Sequence, residues 1–164
     1  MNALAQVARL PDAAAVHSTR GLVVSRPEDA RPFEAIPGEM ISIRVHSSQV
    51  GGHFAILESL LQPRCGPPLH THREDETFQV LEGTMTFLCE GRRLEGGPGT
   101  IVHVPAGMAH AWANLTDRPA RMLVTLSPGG LEDIFAQLAG RSPAEFGELV
   151  ERYGSVIVGG PISS

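Results

Sequence analysis

The chain has 164 residues, 42% of them apolar and 19% charged, with a formal net charge of −5 and no basic run. That is the composition of a folded domain, and it excludes nucleic acid or an anionic membrane surface as the main partner. All 13 basic residues are arginines, which rules out Schiff-base lysine chemistry and a P-loop lysine.

The N-terminal stretch MNALAQVARLPDAAAV has neither the charged start nor the continuous apolar run of a signal peptide. No segment approaches the roughly 18 apolar residues of a membrane span. The expectation is a cytoplasmic protein whose first residues form an arm. Thereafter 18 glycines and 13 prolines cut the middle of the chain into short pieces that read as strands. Met40–His46 alternates Ile41, Ile43 and Val45 with Ser42 and Arg44, the period-2 pattern of a half-buried strand. His53–Leu61 is almost continuously apolar. Thr77–Leu81 and Thr84–Glu90 flank a Glu82-Gly83 turn, and Thr100–Val104, His110–Leu115 and Arg121–Leu126 complete the series. Short strands at this spacing predict a sandwich, jelly roll or barrel.

After Pro128 the period changes. Leu131, Ile134, Phe135 and Leu138 fall at helical spacing, with Glu132 and Asp133 in the first turn. A second helix is predicted from Ser142 as N-cap through Pro143 and Glu145, a capping box, to a stop at Gly154. Both helices are expected on the outside of the β-domain or at a subunit contact. Of the two cysteines, too few for a disulfide framework, Cys89 reads as a small buried strand residue and Cys65 as a loop residue without a catalytic role.

The chemistry concentrates between Pro67 and Glu76 (PPLHTHREDE). On an extended chain, residues an even number apart share a face, so His70, His72 and Glu76 converge if the backbone stays extended. Two imidazoles and a carboxylate are a facial ligand set with coordination positions left open. Glu74 and Asp75 compete as carboxylate donors; parity favours Glu76 and turns Asp75 to solvent. His110, after the Pro105-Ala106-Gly107 turn, is available as a fourth ligand. Three neutral imidazoles and one carboxylate leave a divalent ion with net positive charge, suited to an anionic ligand.

The stretch Gly99–Asn114 (GTIVHVPAGMAHAWAN) resembles the second motif of the cupin family at Gly99, Pro105, Gly107, His110 and Asn114. The first cupin motif is matched at His70, His72, Glu76 and Gly83. Its leading glycine would fall at Arg64, whereas this chain has Gly66. The resemblance implies an all-β fold, a cupin jelly-roll β-barrel with two short C-terminal helices. The chain then divides into an arm (1–20), the barrel (21–127) and a helical tail packed on it (128–164). It also implies His70, His72, Glu76 and His110 as ligands of one divalent transition metal ion, with Fe, Ni, Mn, Co, Cu and Zn all open, and a homodimer.

By parity with Glu76 and His110, Phe78, Val80 and Trp112 point inward as the wall of a small-molecule pocket. His103 is expected to be structural or exposed, and His46 and His53 lie on strands within reach of the cavity. Arg64 and Arg73 are expected to flank its mouth, and His17 belongs to the arm. Similarity to single-domain quercetinase-like cupins implies a metal-dependent dioxygenase acting on a small aromatic or enol substrate, with Glu76 as general base. Two alternatives stand beside it. One is an isomerase, cyclase or lyase using the ion as a Lewis acid, by analogy with polyketide-tailoring cupins; the other is a binding barrel without catalysis.

Overall fold

The computed structural model describes residues 21–142 and 145–163; the arm expected at 1–20 and Pro143 lie outside the described residues. The strands are β1 (Phe33–Ile36), β2 (Glu39–Val45), β3 (Ala55–Leu61), β4 (Pro68–Thr71), β5 (Asp75–Glu82) and β6 (Met85–Cys89). They continue with β7 (Arg92–Gly96), β8 (Ile101–Val104), β9 (His110–Ala113), β10 (Ala120–Ser127) and β11 (Val156–Pro161). They form two antiparallel sheets, ordered β1-β2-β3-β10-β5-β8 and β11-β4-β9-β6-β7. Alternation decides the inner faces: Ala55, Leu57 and Leu61 of β3, Phe78 and Val80 of β5, and Met122, Val124 and Leu126 of β10 are buried against Met85, Phe87 and Trp112 of the other sheet. Phe78 meets Phe87 and Trp112 across the gap with ring centroids 5.3 and 4.9 Å apart.

The all-β jelly roll is as the sequence predicts, but it is a two-layer sandwich and not a closed barrel. The outer strands β1 and β8 have four residues each and pair on one edge only among the described residues. The other sheet ends in β7, whose Arg92, Arg93 and Glu95 are exposed. Such short edges, and the charged one at β7, end a sheet rather than join it to a facing one.

The tail also differs from expectation. Helices α1 (Asp133–Leu138) and α2 (Phe146–Arg152) pack on the sandwich across one open end, and the chain then returns as β11, a strand the sequence does not predict, to pair with β4. Helices of six and seven residues have little stability alone. Their apolar residues Ile134, Leu138, Phe146 and Leu149 are buried at the mouth, where the strands leave core uncovered. Glu132, fully buried, ties α1 down by accepting from the backbone N–H groups of Ser47 (2.9 Å) and Gly130 (2.5 Å). His46 faces Asp133 at 2.9 Å. The capping box at Ser142 is one-sided: the Glu145 carboxylate accepts from the Ser142 backbone N–H and hydroxyl, and α2 begins only at Phe146. The helix stops at Gly154 as predicted, with Gly154 and Ser155 N–H groups bonding back to Glu151 and Val150 carbonyls.

The loop from β3 to β4 carries the departure from the cupin motif. Asn114, wholly buried, holds this loop by donating to the carbonyls of Leu61, Gln62 and Arg118. Arg64 takes φ 62° where the motif has glycine. Gly66 passes so close to β9 that a Cβ there would collide with the Trp112 carbonyl oxygen and approach the Ala113 Cα to 2.8 Å. The requirement for a left-handed residue is thus separated from the requirement for no side chain. Gly66→Ala is expected to lower stability by about 1–3 kcal/mol, the usual cost of overpacking. Arg64→Gly removes strain and an exposed ion pair together and is expected to change it by less than about 1 kcal/mol. Urea denaturation midpoints of the two variants check this.

Candidate metal centre

The four ligands assigned by resemblance come together. Each of His70, His72, Glu76 and His110 offers one donor atom, and these atoms lie within 4.8 Å of one another. The route differs from the one parity suggested, because the backbone does not run extended from His70 to Glu76. β4 ends at Thr71, the chain turns through His72, Arg73 and Glu74, and β5 begins at Asp75 in the other sheet. His70 and His110 are direct cross-strand partners in the five-stranded sheet. Glu76 comes from the six-stranded sheet, and His72 from the connection between the two.

The turn preceding His110 is clamped to that connection. The Ala106 N–H donates to Asp75 Oδ1 at 2.8 Å and the Gly107 N–H to the His72 carbonyl at 2.7 Å. Asp75 is exposed, as its parity predicted, and acts as this clamp.

The rings are oriented from behind. His70 Nδ1 and His110 Nδ1 each lie 2.8 Å from a carbonyl, those of Pro68 and Met108. A carbonyl only accepts, so both Nδ1 atoms carry the proton and both neutral rings turn an Nε2 lone pair to the centre. There, His110 Nε2 and His72 Nε2 stand 2.8 and 3.0 Å from one oxygen of Glu76. A neutral His110 ring would set lone pair against lone pair, a repulsion that a bound cation removes. The donor set fits a divalent transition metal, and these four residues would hold it. The third ring has a carboxylate behind it. Glu74 Oε2 lies 3.4 Å from His72 Nδ1, and both atoms are buried without a hydrogen-bond partner. Glu74 thus faces the outer nitrogen of His72, an orienting position rather than a ligand position.

Burial holds the His70 imidazole down at about 4, with His110 adding to the effect, so it stays neutral. Glu76 is also buried, which would raise its pKa, but the adjoining His110 and His72 imidazoles outweigh burial and hold it at about 2. Burial disfavours the His72 imidazolium, yet Glu76 and Glu74 together push its pKa up.

Trp112 packs beside the cluster, 5.6 Å from the His70 ring and 6.1 Å from that of His110. It lines a cavity of about 70 Å³ together with His70, His72 and Glu76. Phe78 and Val80 are buried in the core, with the Phe78 ring 6.3 Å from that of His110. The rest of the wall comes from the tail, notably Leu131, Ile134, Leu138, Phe146 and Val150. Leu131, Ile134 and Leu138 stood out in the sequence as a helix face, without anything to say what it covers. Glu39 also lines the cavity and was missed. The available signal was its phase: Glu39 shares the parity of the buried Ile41, so a carboxyl sits on the apolar face of β2.

The other candidates lie elsewhere. His103 is exposed and bonded to Thr77, as expected. His53 is exposed, His46 clasps Asp133, Arg64 pairs with Asp117, and Arg73 lies over Gly154. Burial pushes the Cys65 thiol up to about 12, in keeping with a chemically quiet residue.

Residues 57–126 match the family model described as Cupin domain. That stretch is a cupin domain. The chain is 37% identical over 70 residues to quercetin 2,3-dioxygenase of Bacillus subtilis (strain 168), a match covering 42% of this chain but only 20% of the enzyme's length. The chain's fold is shared by solved structures, among them the following two. The polyketide cyclase RemF from Streptomyces resistomycificus gives a TM-score of 0.58 at 21% identity, over 65% of this chain and 80% of RemF. KdgF from Halomonas sp. gives 0.59 at 17% identity, over 65% and 93%.

Two outcomes follow from the geometry. Glu74→Gln is expected to weaken metal affinity about 10–100-fold without changing stoichiometry, as loss of an orienting partner does; chelator-competition titration measures it. Burial holds the Glu39 carboxyl up at about 7 against 4.5 unfolded, despite the Ser59 hydrogen bond. Between those values the folded state binds the extra proton, so stability falls as pH rises, by roughly 1.4 kcal/mol per unit. Metal-free Glu39→Gln should show a flatter profile than wild type from pH 4.5 to 7, and urea midpoints across that range decide it.

Proposed function

We propose that this protein is a metal-dependent dioxygenase acting on a small enol or aromatic substrate at the His70, His72, Glu76 and His110 centre. The observation that carries this reading is the meeting of three imidazoles and one carboxylate at a buried point bordered by an apolar cavity. The similarity to quercetin 2,3-dioxygenase over 70 residues supports oxygen chemistry over the Lewis-acid alternative. When bound, a divalent transition metal supplies redox activity and polarises a substrate oxygen.

The protein's own contribution is positioning, dryness and proton handling. Trp112 forms the wall beside the imidazoles, with Phe78 and Val80 backing it, and the α1–α2 cover excludes water from the reacting enolate. Glu76 accepts the substrate hydroxyl proton as the enolate forms and returns a proton to product, and both atoms of dioxygen end in product. The size of the cavity limits this chemistry. At about 70 Å³ it falls below the ~300 Å³ at which pockets for drug-sized ligands begin, so a flavonol enters only if the cover is displaced.

An oxygen-electrode screen of the metal-loaded protein against enol acids, hydroxy ketones and flavonols tests the reading. Oxygen uptake is expected with a small enolisable compound, and a loss of at least 100-fold in His110→Ala. Turnover undiminished in anaerobic buffer would transfer the site to the isomerase, cyclase or lyase reading. Tight binding of a compound recovered unchanged would make it a binding protein.

A further inference from the structure

The cavity beside the metal centre has a second polar end. Away from the ligand cluster, the side chains lining it are apolar apart from Glu39, Ser155 and the indole N–H of Trp112. Glu39 is only 2% exposed. It sits where the sandwich requires an apolar residue, in phase with Ile41 on β2, and a carboxyl there is costly to bury. One oxygen accepts the Ser59 hydroxyl at 2.5 Å. The Trp112 indole faces the same carboxyl, yet its Nε1–H is buried without a hydrogen-bond partner of good geometry among the described residues. An under-satisfied donor and a buried carboxyl side by side in a cavity wall leave hydrogen-bonding capacity for a ligand to fill.

Volume narrows what that ligand is. A space of about 70 Å³ holds roughly five to seven waters at 10–15 Å³ each, hence a molecule of few non-hydrogen atoms. The net positive charge of the loaded centre favours an anionic oxygen at that end, and Glu39 favours a hydrogen-bond donor at the other.

We infer that Glu39 and the Trp112 indole form a specificity subsite that binds the hydroxyl group of a small oxyanion, such as a short hydroxy acid or an enediolate, whose anionic oxygen faces the imidazole cluster. This rests on the reading of His70, His72, Glu76 and His110 as a metal centre and adds the substrate class to it. Nothing in the inference requires a redox step.

The test uses zinc, which is redox-silent, and two probes of equal size that differ at one position: 3-hydroxypropanoate and butanoate. Isothermal titration of the zinc-loaded full chain at pH 8 is expected to show 3-hydroxypropanoate binding at least tenfold more tightly, the discrimination of a charge-assisted hydrogen bond. Glu39→Ala should reduce that preference to less than twofold while bound zinc, by elemental analysis, is unchanged. Should that variant not fold, Glu39→Gln keeps the shape and is expected to reduce the preference at least threefold. Equal affinities for the two probes in wild type, no binding of either, or a preference unchanged in the variants would each overturn the subsite while zinc stays bound. A wild-type protein that retains no zinc would overturn the metal centre, and the subsite with it, so the two failures are told apart by the zinc content.

Discussion

One oxygen of Glu76 bears most of the architecture around the centre. It comes from β5 of the six-stranded sheet and meets His110 of the five-stranded sheet at 2.8 Å and His72 of the connecting turn at 3.0 Å. A buried carboxylate costs several kcal/mol unless it is surrounded by donors or a cation. That cost falls only if both sheets and the turn between them hold their relative positions. The clamps of Asp75 on Ala106 and of the His72 carbonyl on Gly107 serve the same end, because they lock the two motif loops together where the ligands leave the backbone. The centre is therefore a joint between the layers, and its geometry and the packing of Phe78 against Phe87 and Trp112 depend on each other.

Much of this was legible in the chain. β2, β3, β5, β6, β8, β9 and β10 follow from alternation and turn residues, because each has one face on the core. β4 was hidden by its length and by Pro68, although it carries His70. β7 presents only Gly96 to the core and has no apolar period, and β11, exposed along its whole length, has none either. The four ligands were found through a premise that fails in detail. Even spacing suggested one extended strand, whereas His70 and Glu76 lie in different sheets with a turn between them. Spacing alone would not have established the set; the two motifs together did, since they encode the turn geometry as well as the ligands.

What the sequence concealed is mostly the tail. Helical spacing at Leu131, Ile134 and Leu138 shows that one face must be buried, but an apolar face carries no record of its partner. The partner here is the mouth of the sandwich, which turns an anonymous pair of helices into the ceiling of the site. Glu39 was concealed for the opposite reason. A carboxylate at a strand's start reads as solvated, and only the parity it shares with Ile41 contradicts that reading.

The cover also has to explain how anything reaches a centre whose His72, Glu76 and His110 are at most 4% exposed. Sheet strands cannot open without breaking ladders of consecutive hydrogen bonds, and β5 is paired on both edges. The tail is held differently. Its two helices span six and seven residues, its last strand pairs with a four-residue partner, and its polar ties among the described residues include the Glu132 contacts, the part-exposed His46–Asp133 pair and an exposed Arg93 bond to the Ser163 carbonyl. Elements with few buried contacts and short ladders are the first to open in a native protein. Among the elements around the cavity, α1 and α2 are therefore the ones whose opening would expose the metal centre, and their apolar residues form most of the wall that keeps water from it.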